Sequence, residues 1–550
     1  MAKRDRMTLP FKVGDQIDVT VDRLGYRGEG VARHQGVAIF VDGVLPGEQA
    51  AVRITRVARS HAFATALRIA AVSPARVTAP CPVFSLCGGC QVQHLSYEEQ
   101  LRFKRQVVKD ALQRIGKFDA ATLDRLVRPT VGQADPWRYR NKVSVMAKAR
   151  EGRFVAGFVE EGTHEPVEQE ECLIRPAAYD DMLGTLVRLL EELAIEPFAE
   201  EVGTGSIAEI AIRSTRAGDV MVVFRTAAPL RSAGAELARR LDQEMPAGYR
   251  LASVVEQAAS RSGQGREFGS SARARGGSGA VSAGGAGGRA GTGPVAGHGA
   301  GSGIGLAGGS GAVLETASGA GHGRAGARPY RLIWCSPIII DTVGDATEAG
   351  ESGESAEAGE LGELGELQVQ VSAASFLQVN PAQTALLYRR ALAMADIGPD
   401  DIVFDLYCGI GALSLLAAKR ARAVYGVESA ATATADAAAN ARRNRIDNAR
   451  FITGRAEQAV PLLIEEGGIR PNVVLLDPPR SGCEADVLLA LAAAQVARIV
   501  YVSCNPATLA RDLRILADHG YVLGDVTPVD MFPQTAHVEC VGVLHYVGNK

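Results

Sequence analysis

Ile402-Val403-Phe404-Asp405-Leu406-Tyr407-Cys408-Gly409-Ile410-Gly411 is a short apolar run that breaks into a glycine turn. Four similar runs follow: AVYGVE at 423–428, RFITG at 450–454, NVVLLD at 472–477 and RIVYVS at 498–503. Each is too short for a helix, is dense in β-formers, and is separated from the next by a helical stretch. Alternation of this kind predicts a parallel sheet with helices on both faces, a Rossmann-like α/β domain running from about 370 to the end.

Ligands in such sheets bind beyond the carboxyl ends of the strands, and the chemistry-bearing residues lie there. The Asp405–Gly411 turn lets a nucleotide-like ligand approach the backbone. Glu428 ends the next strand, 23 residues beyond Asp405, where a carboxylate commonly accepts from ribose hydroxyls. A single G-x-G also fits NAD or flavin. Leu413 and Ser414, standing where a dinucleotide fingerprint has more glycine, shift the weight to S-adenosylmethionine. Acidic strand ends also serve as helix caps, so the pattern is not specific alone. Asp477-Pro478-Pro479-Arg480 follows the fourth strand, and two prolines stiffen that loop. Ser503-Cys504-Asn505-Pro506 follows the fifth, which places Cys504 as a nucleophile or, more simply, as a small buried hydrophobe. His537 and Glu539 open the last apolar strand.

Upstream, residues 1–70 read as short strands with Gly/Pro punctuation, a small β-barrel. Cys81, Cys87 and Cys90 lie in CPVFSLCGGC, and Cys172 is the nearest fourth thiol. Spacing does not separate tetrahedral zinc from an iron–sulfur cluster, since both take four thiolates. A helix is expected from Ser96 to about Ile115, with Ser96 and Glu99 at capping-box spacing and Gly116 ending it. Its cations Arg102, Lys104, Arg105, Lys109 and Arg114, with Arg138, Arg140 and Lys142 further on, are candidate phosphate contacts.

The chain has 550 residues, enough for two or three domains, and is 47% hydrophobic and 22% charged. Its net charge of −3 conceals a basic front: residues 1–150 hold 25 Lys+Arg against 13 Asp+Glu, the footprint of a polyanion partner. No run reaches the roughly 18 apolar residues of a membrane span. Nine cysteines without an export signal point to a cytoplasmic protein. Residues 261–328 hold 24 of the 62 glycines, and 345–366 hold eight acidic residues and no basic one. Both read as disordered insertions, with RPYRLIWCSPIIIDTV (328–343) a single strand between them.

Taken in order, FLQVN (376–380), DLYCGIG, DPPRSG, SCNP and MFPQTAHVE resemble the RNA uracil-5 methyltransferases. The run from Gly28-Glu29-Gly30 through Leu45-Pro46-Gly47-Glu48 is similar to the TRAM domain, an OB-like RNA-binding barrel. With the cysteine run, the resemblance is to the 23S ribosomal RNA branch, transfer RNA being the alternative substrate. It implies a TRAM-like barrel at 8–72, a central cluster-bearing domain at 73–370 and a class I methyltransferase domain at 371–550. It further implies Cys504 as nucleophile and Glu539 as base. Gln378, Tyr407, Glu428 and Asp477 would bind S-adenosylmethionine, and a 4Fe–4S cluster would sit on Cys81, Cys87, Cys90 and Cys172. Ala412 departs from the polar residue of some relatives, so no contact carries over there. A monomer is expected.

Overall fold

A computed structural model describes residues 9–258, 313–315, 330–344 and 364–548. Strands Gln16–Leu24, Gly30–His34, Val37–Asp42, Gln49–Val57 and His61–Ala71 close into a barrel around Val21, Ile39, Val41, Val52 and Ile54. Inward positions alternate with exposed ones along the strands, as the period-2 pattern requires. The Leu45–Glu48 turn is pinned by a buried carboxylate. Glu48 accepts from the Leu45 amide at 2.8 Å and from Arg76 Nε at 2.6 Å, which ties the barrel to the segment after it.

The central region holds a six-stranded sheet whose outer strands are Tyr330–Cys335 and Arg153–Gly157. Helices Ala177–Glu192 and Arg231–Gln243 pack on it through Leu186, Leu190, Leu237 and Leu241. The segment 328–343 is two strands rather than the expected one. The chain turns at Cys335 (φ 51°), beside Ser336-Pro337, and Ile338–Val343 leaves to pair with Leu367–Ser372 in a separate ribbon.

The C-terminal sheet has eight strands. From Ala449–Thr453 the order runs through Ala423–Glu428, Ile402–Leu406, Val473–Leu476 and Arg498–Ser503, all parallel, then antiparallel Glu539–Tyr546 and Tyr521–Val529. The doubly wound reading holds. The Tyr521–Val529 strand is an addition to it. Val313–Glu315, inside the glycine-rich segment expected to be wholly without structure, adds a parallel strand at the other edge. An open sheet edge offers unpaired N–H and C=O groups, and three residues suffice to accept them. The rest of that insertion, and the acidic one up to residue 363, lie outside the described residues.

Helix Tyr97–Arg114 begins and ends where expected, but Ser96 makes no side-chain cap bond and the C-cap Ile115 stays right-handed. The helix packs on the C-terminal sheet, not the central one: Val108 and Leu112 join a core with Leu509, Leu513 and Val526. Its cations are engaged within the protein. Arg105 donates to the Val127 carbonyl at 2.7 Å, Lys109 pairs with Asp124, and Arg102 pairs with Glu98 and Glu99. Lys104 is fully buried against Asp530, which rules it out as a phosphate contact.

Candidate active site

Register brings the loops together. Leu406 pairs with Val427 on one side and Leu476 on the other, and Leu476 pairs with Tyr501. Tyr407, Glu428 and Asp477 therefore leave the sheet at one edge. Ser503 pairs antiparallel with Cys540, so Cys504 and Glu539 are the next residues out on adjacent strands. The Asn505 side chain donates to the Arg480 carbonyl at 3.0 Å and Thr508 Oγ1 donates to it at 3.3 Å, clamping the DPPR loop against the cysteine turn.

The pocket is electrostatically tense. Burial pushes Glu539 up to about 8, with the Asp477 charge adding to it and Arg480 opposing. Asp477 is pushed up to about 6 by burial. The half-buried Cys504 thiol is pushed up to about 12, first by burial and then by the Glu539 charge, against Arg480. Perturbed carboxyls and a thiol gathered at one sheet edge mark a functional site. His537 is driven down to about 3, by burial and then Arg480, so its imidazole is neutral. Arg480 Nη2 lies 3.5 Å from its Nδ1. Arg480 is the site residue to which the motifs assign no role. Its signal is its place three residues beyond Asp477, in a loop forced to turn beneath the cysteine.

The loop leading to Glu539 is held from three directions. Lys104 Nζ pairs with Asp530 and donates to the Phe532 carbonyl at 3.0 Å. Gln100 Nε2 donates to Gln534 Oε1 at 3.0 Å and Gln100 Oε1 accepts from the Gln534 amide at 3.1 Å. The Gln91 and Val92 amides donate to the Gln534 carbonyl at 3.1 and 3.2 Å, and Tyr139 Oη donates to the Pro533 carbonyl at 3.1 Å. Removing one partner of a buried ion pair strands the other charge. Lys104→Met is accordingly expected to destabilise the protein by about 3–5 kcal/mol, read from the denaturation midpoint. Adding Asp530→Leu should recover much of the loss.

The donor loop has the shape for a nucleotide-like ligand. Gly411 (φ 81°) caps helix Ala412–Ala418, and a Cβ there would lie 2.9 Å from the Phe451 ring. Tyr407 is itself left-handed (φ 67°), a conformation that persists where a site enforces it. Glu428 accepts from the Gly409 amide at 3.2 Å and the Ala430 amide at 2.8 Å, which leaves lone pairs for a diol. Gln378 stands apart on the loop before helix Pro381–Ala395. Its Oε1 is buried without a hydrogen-bond partner, an acceptor that a ligand donor would satisfy.

Cys81, Cys87, Cys90 and Cys172 line one small cavity with Phe84 and Phe158. Burial raises the Cys81, Cys87 and Cys90 thiols, and the Cys172 charge raises them further. Among the described residues no group of three or more His, Cys, Asp or Glu is arranged to hold a metal ion. The donor chemistry still fits a four-thiolate centre. The Arg138 guanidinium donates to the Cys172 and Arg175 carbonyls at 3.0 and 3.1 Å and pairs with Glu171, bracing the cavity wall.

Comparison with known proteins decides the family. Residues 365–546 match the model for tRNA (uracil-5-)-methyltransferases, and residues 10–67 match the TRAM domain. A Halalkalibacterium halodurans protein named an uncharacterized RNA methyltransferase is 35% identical over 536 residues, covering 97% of this chain and 98% of the relative. A Bacillus cereus protein of the same description is 34% identical over 543 residues, 98% of this chain and 99% of its own. The chain belongs to the RNA uracil-5 methyltransferase family. The crystal structure of the Pyrococcus abyssi tRNA (uracil-54, C5)-methyltransferase in complex with S-adenosyl-L-homocysteine shares the fold. It aligns with a TM-score of 0.62 at 22% identity, over 96% of this chain and 99% of that one.

As a uracil-5 methyltransferase the protein is an S-adenosylmethionine-dependent enzyme acting on RNA, and its closed five-stranded barrel is the TRAM domain. Among the described residues, no helix of this methyltransferase is long and apolar enough to cross a membrane.

Proposed function

We propose that this methyltransferase transfers the methyl group of S-adenosylmethionine to carbon 5 of a uridine in 23S ribosomal RNA, with Cys504 as nucleophile and Glu539 as base. The observation that carries the reading is the convergence of Cys504, Glu539, Asp477 and Arg480 at one sheet edge. Uracil carbon 5 is too weak a nucleophile to attack a sulfonium methyl unaided. Addition of the Cys504 thiolate to carbon 6 generates an enolate whose carbon 5 takes the methyl group, releasing S-adenosylhomocysteine. Glu539 then takes the carbon-5 proton, and the returning electron pair expels Cys504. At neutral pH Glu539 rests protonated, which removes the charge that most opposes the thiolate, while the Arg480 cation favours it. Gln378, Tyr407, Glu428 and Asp477 are assigned to the donor.

The substrate assignment rests on the cysteine run beside the TRAM barrel. The transfer RNA reading is favoured by the name of the matched family model. We assign a 4Fe–4S cluster to Cys81, Cys87, Cys90 and Cys172. Such a centre would supply a structural anchor rather than electrons, because Gln91 and Val92, next in sequence, brace the loop that carries Glu539. A monomeric, cytoplasmic enzyme completes the reading. The test is methylation of 23S ribosomal and transfer RNA transcripts, with nucleoside mass spectrometry and iron and sulfide analysis of anaerobically purified protein. Methylation of the 23S transcript with about four irons per chain is expected for a 4Fe–4S centre. Methylation confined to transfer RNA would overturn the substrate, and stoichiometric zinc without sulfide would overturn the cluster.

A further inference from the structure

The TRAM barrel packs toward the reaction centre through the turn after its first strand and the turn at Leu45. Leu24, at the end of the first barrel strand, is buried in a cluster with Leu45, Val92, Leu95, Phe103 and Ala536, the last being the neighbour of His537. The turn that follows is stiff: the Gly25 amide donates to the Glu29 carbonyl at 2.6 Å, the Gly28 amide to the Gly25 carbonyl at 3.1 Å, and the Arg27 amide to Glu29 Oε2 at 2.8 Å. Gly28 (φ 86°) sits so close to the catalytic loop that a Cβ would lie 2.9 Å from Val92 Cγ1 and 3.6 Å from Ala536 Cβ. This turn holds Tyr26 out at its tip, 51% exposed.

Tyr26 lines a cleft of about 1100 Å³ between the barrel and helix Tyr97–Arg114. Pro506 and Ala507 line the same cleft, two and three residues after Cys504. Burial raises the Tyr26 phenol, and the charges of Arg480 and Cys504 are the next influences on it, as expected for a ring at the mouth of the reaction centre. This large aromatic, half-exposed on a firmly docked turn, belongs to none of the buried hydrophobic clusters of the described residues.

We infer that Tyr26 is a substrate-positioning residue whose ring stacks on the base next to the target uridine. The inference rests on the proposed uracil-5 chemistry at Cys504. A uridine must leave its stack to reach that thiol, which strips one face of its neighbour of a stacking partner. An aromatic beside the cleft replaces that partner, and base–aromatic stacking changes affinity by roughly five- to 150-fold. Tyrosine suits the role because stacking needs a π-face and tolerates any base.

The test measures methylation of total RNA from a strain lacking the enzyme, with labelled S-adenosylmethionine, for the full-length wild type and Tyr26→Ala, Tyr26→Leu, Tyr26→Phe and Tyr26→Trp. For Tyr26→Ala, the KM for RNA is expected to rise about tenfold or more. The KM for S-adenosylmethionine and the Tm should stay put, and kcat should change less than the KM for RNA. The Phe and Trp variants should restore affinity, and Leu should not. An unchanged KM for RNA in Tyr26→Ala, or rescue by Leu equal to that by Phe, would overturn the proposal while leaving the chemistry intact. A wild type that methylates no uridine in this RNA would overturn both.

Discussion

Cys504→Ala is expected to abolish methyl transfer, lowering kcat/KM by about 10⁴-fold or more, because no other step makes uracil carbon 5 nucleophilic. The thiol emerges from strand Arg498–Ser503 beside Glu539 and Arg480. The alternative, a small buried hydrophobe, makes the opposite forecast: Cys504→Ala would be nearly silent in rate and would cost only packing. Thermal unfolding and S-adenosylmethionine affinity should match the wild type. Cys504→Ser should fare little better, since an alkoxide is far less accessible than a thiolate at any workable pH.

Glu539→Gln should fail differently. Addition and methyl transfer do not need the carboxylate, whereas loss of the carbon-5 proton does. Turnover should fall by about 10²–10⁴-fold while a methylated covalent adduct accumulates, visible as a retarded band and an added mass. The pH dependence has a definite sign. Glu539 is pushed up to about 8, so its basic form is scarce at pH 6 and dominant at pH 9. Single-turnover breakdown of the adduct should therefore speed up with rising pH and level off above about 8. Glu539→Gln should remove that inflection. A Glu539→Gln enzyme that turned over normally would assign the proton to another group.

Much of the methyltransferase domain is legible in the sequence because its signals are local. Strands Ile402–Leu406, Val473–Leu476 and Arg498–Ser503 are buried on both faces, so their composition alone marks them. The residues that end parallel strands all leave the sheet at the same edge, so the strand pattern by itself puts Asp477 and Cys504 at one edge. What the sequence hides depends on partners distant along the chain. Lys104 reads as one of five helix cations, yet its partner Asp530 lies 426 residues away and makes it the buried brace of the loop leading to Glu539. Arg138 reads as a basic-patch residue, whereas the Cys172 and Arg175 carbonyls claim its guanidinium. Tyr26 sits in a glycine-rich turn with no motif to distinguish it. The packing of Leu24, and of Gly28 against Ala536, brings it close to the proposed reaction centre.

The measurement that bears most directly on the proposed chemistry is a trapping experiment with 5-fluorouridine-substituted RNA. The wild-type enzyme is incubated with S-adenosylmethionine and fluorinated 23S ribosomal or transfer RNA fragments, then subjected to denaturing mass spectrometry. Fluorine at carbon 5 cannot leave as a proton, so elimination stalls after methyl transfer. A stable adduct carrying one added methyl group, mapped to Cys504 and absent from Cys504→Ala, is the expected result. Methylated RNA released without any adduct, or an adduct that survives in Cys504→Ala, would contradict covalent catalysis by this cysteine.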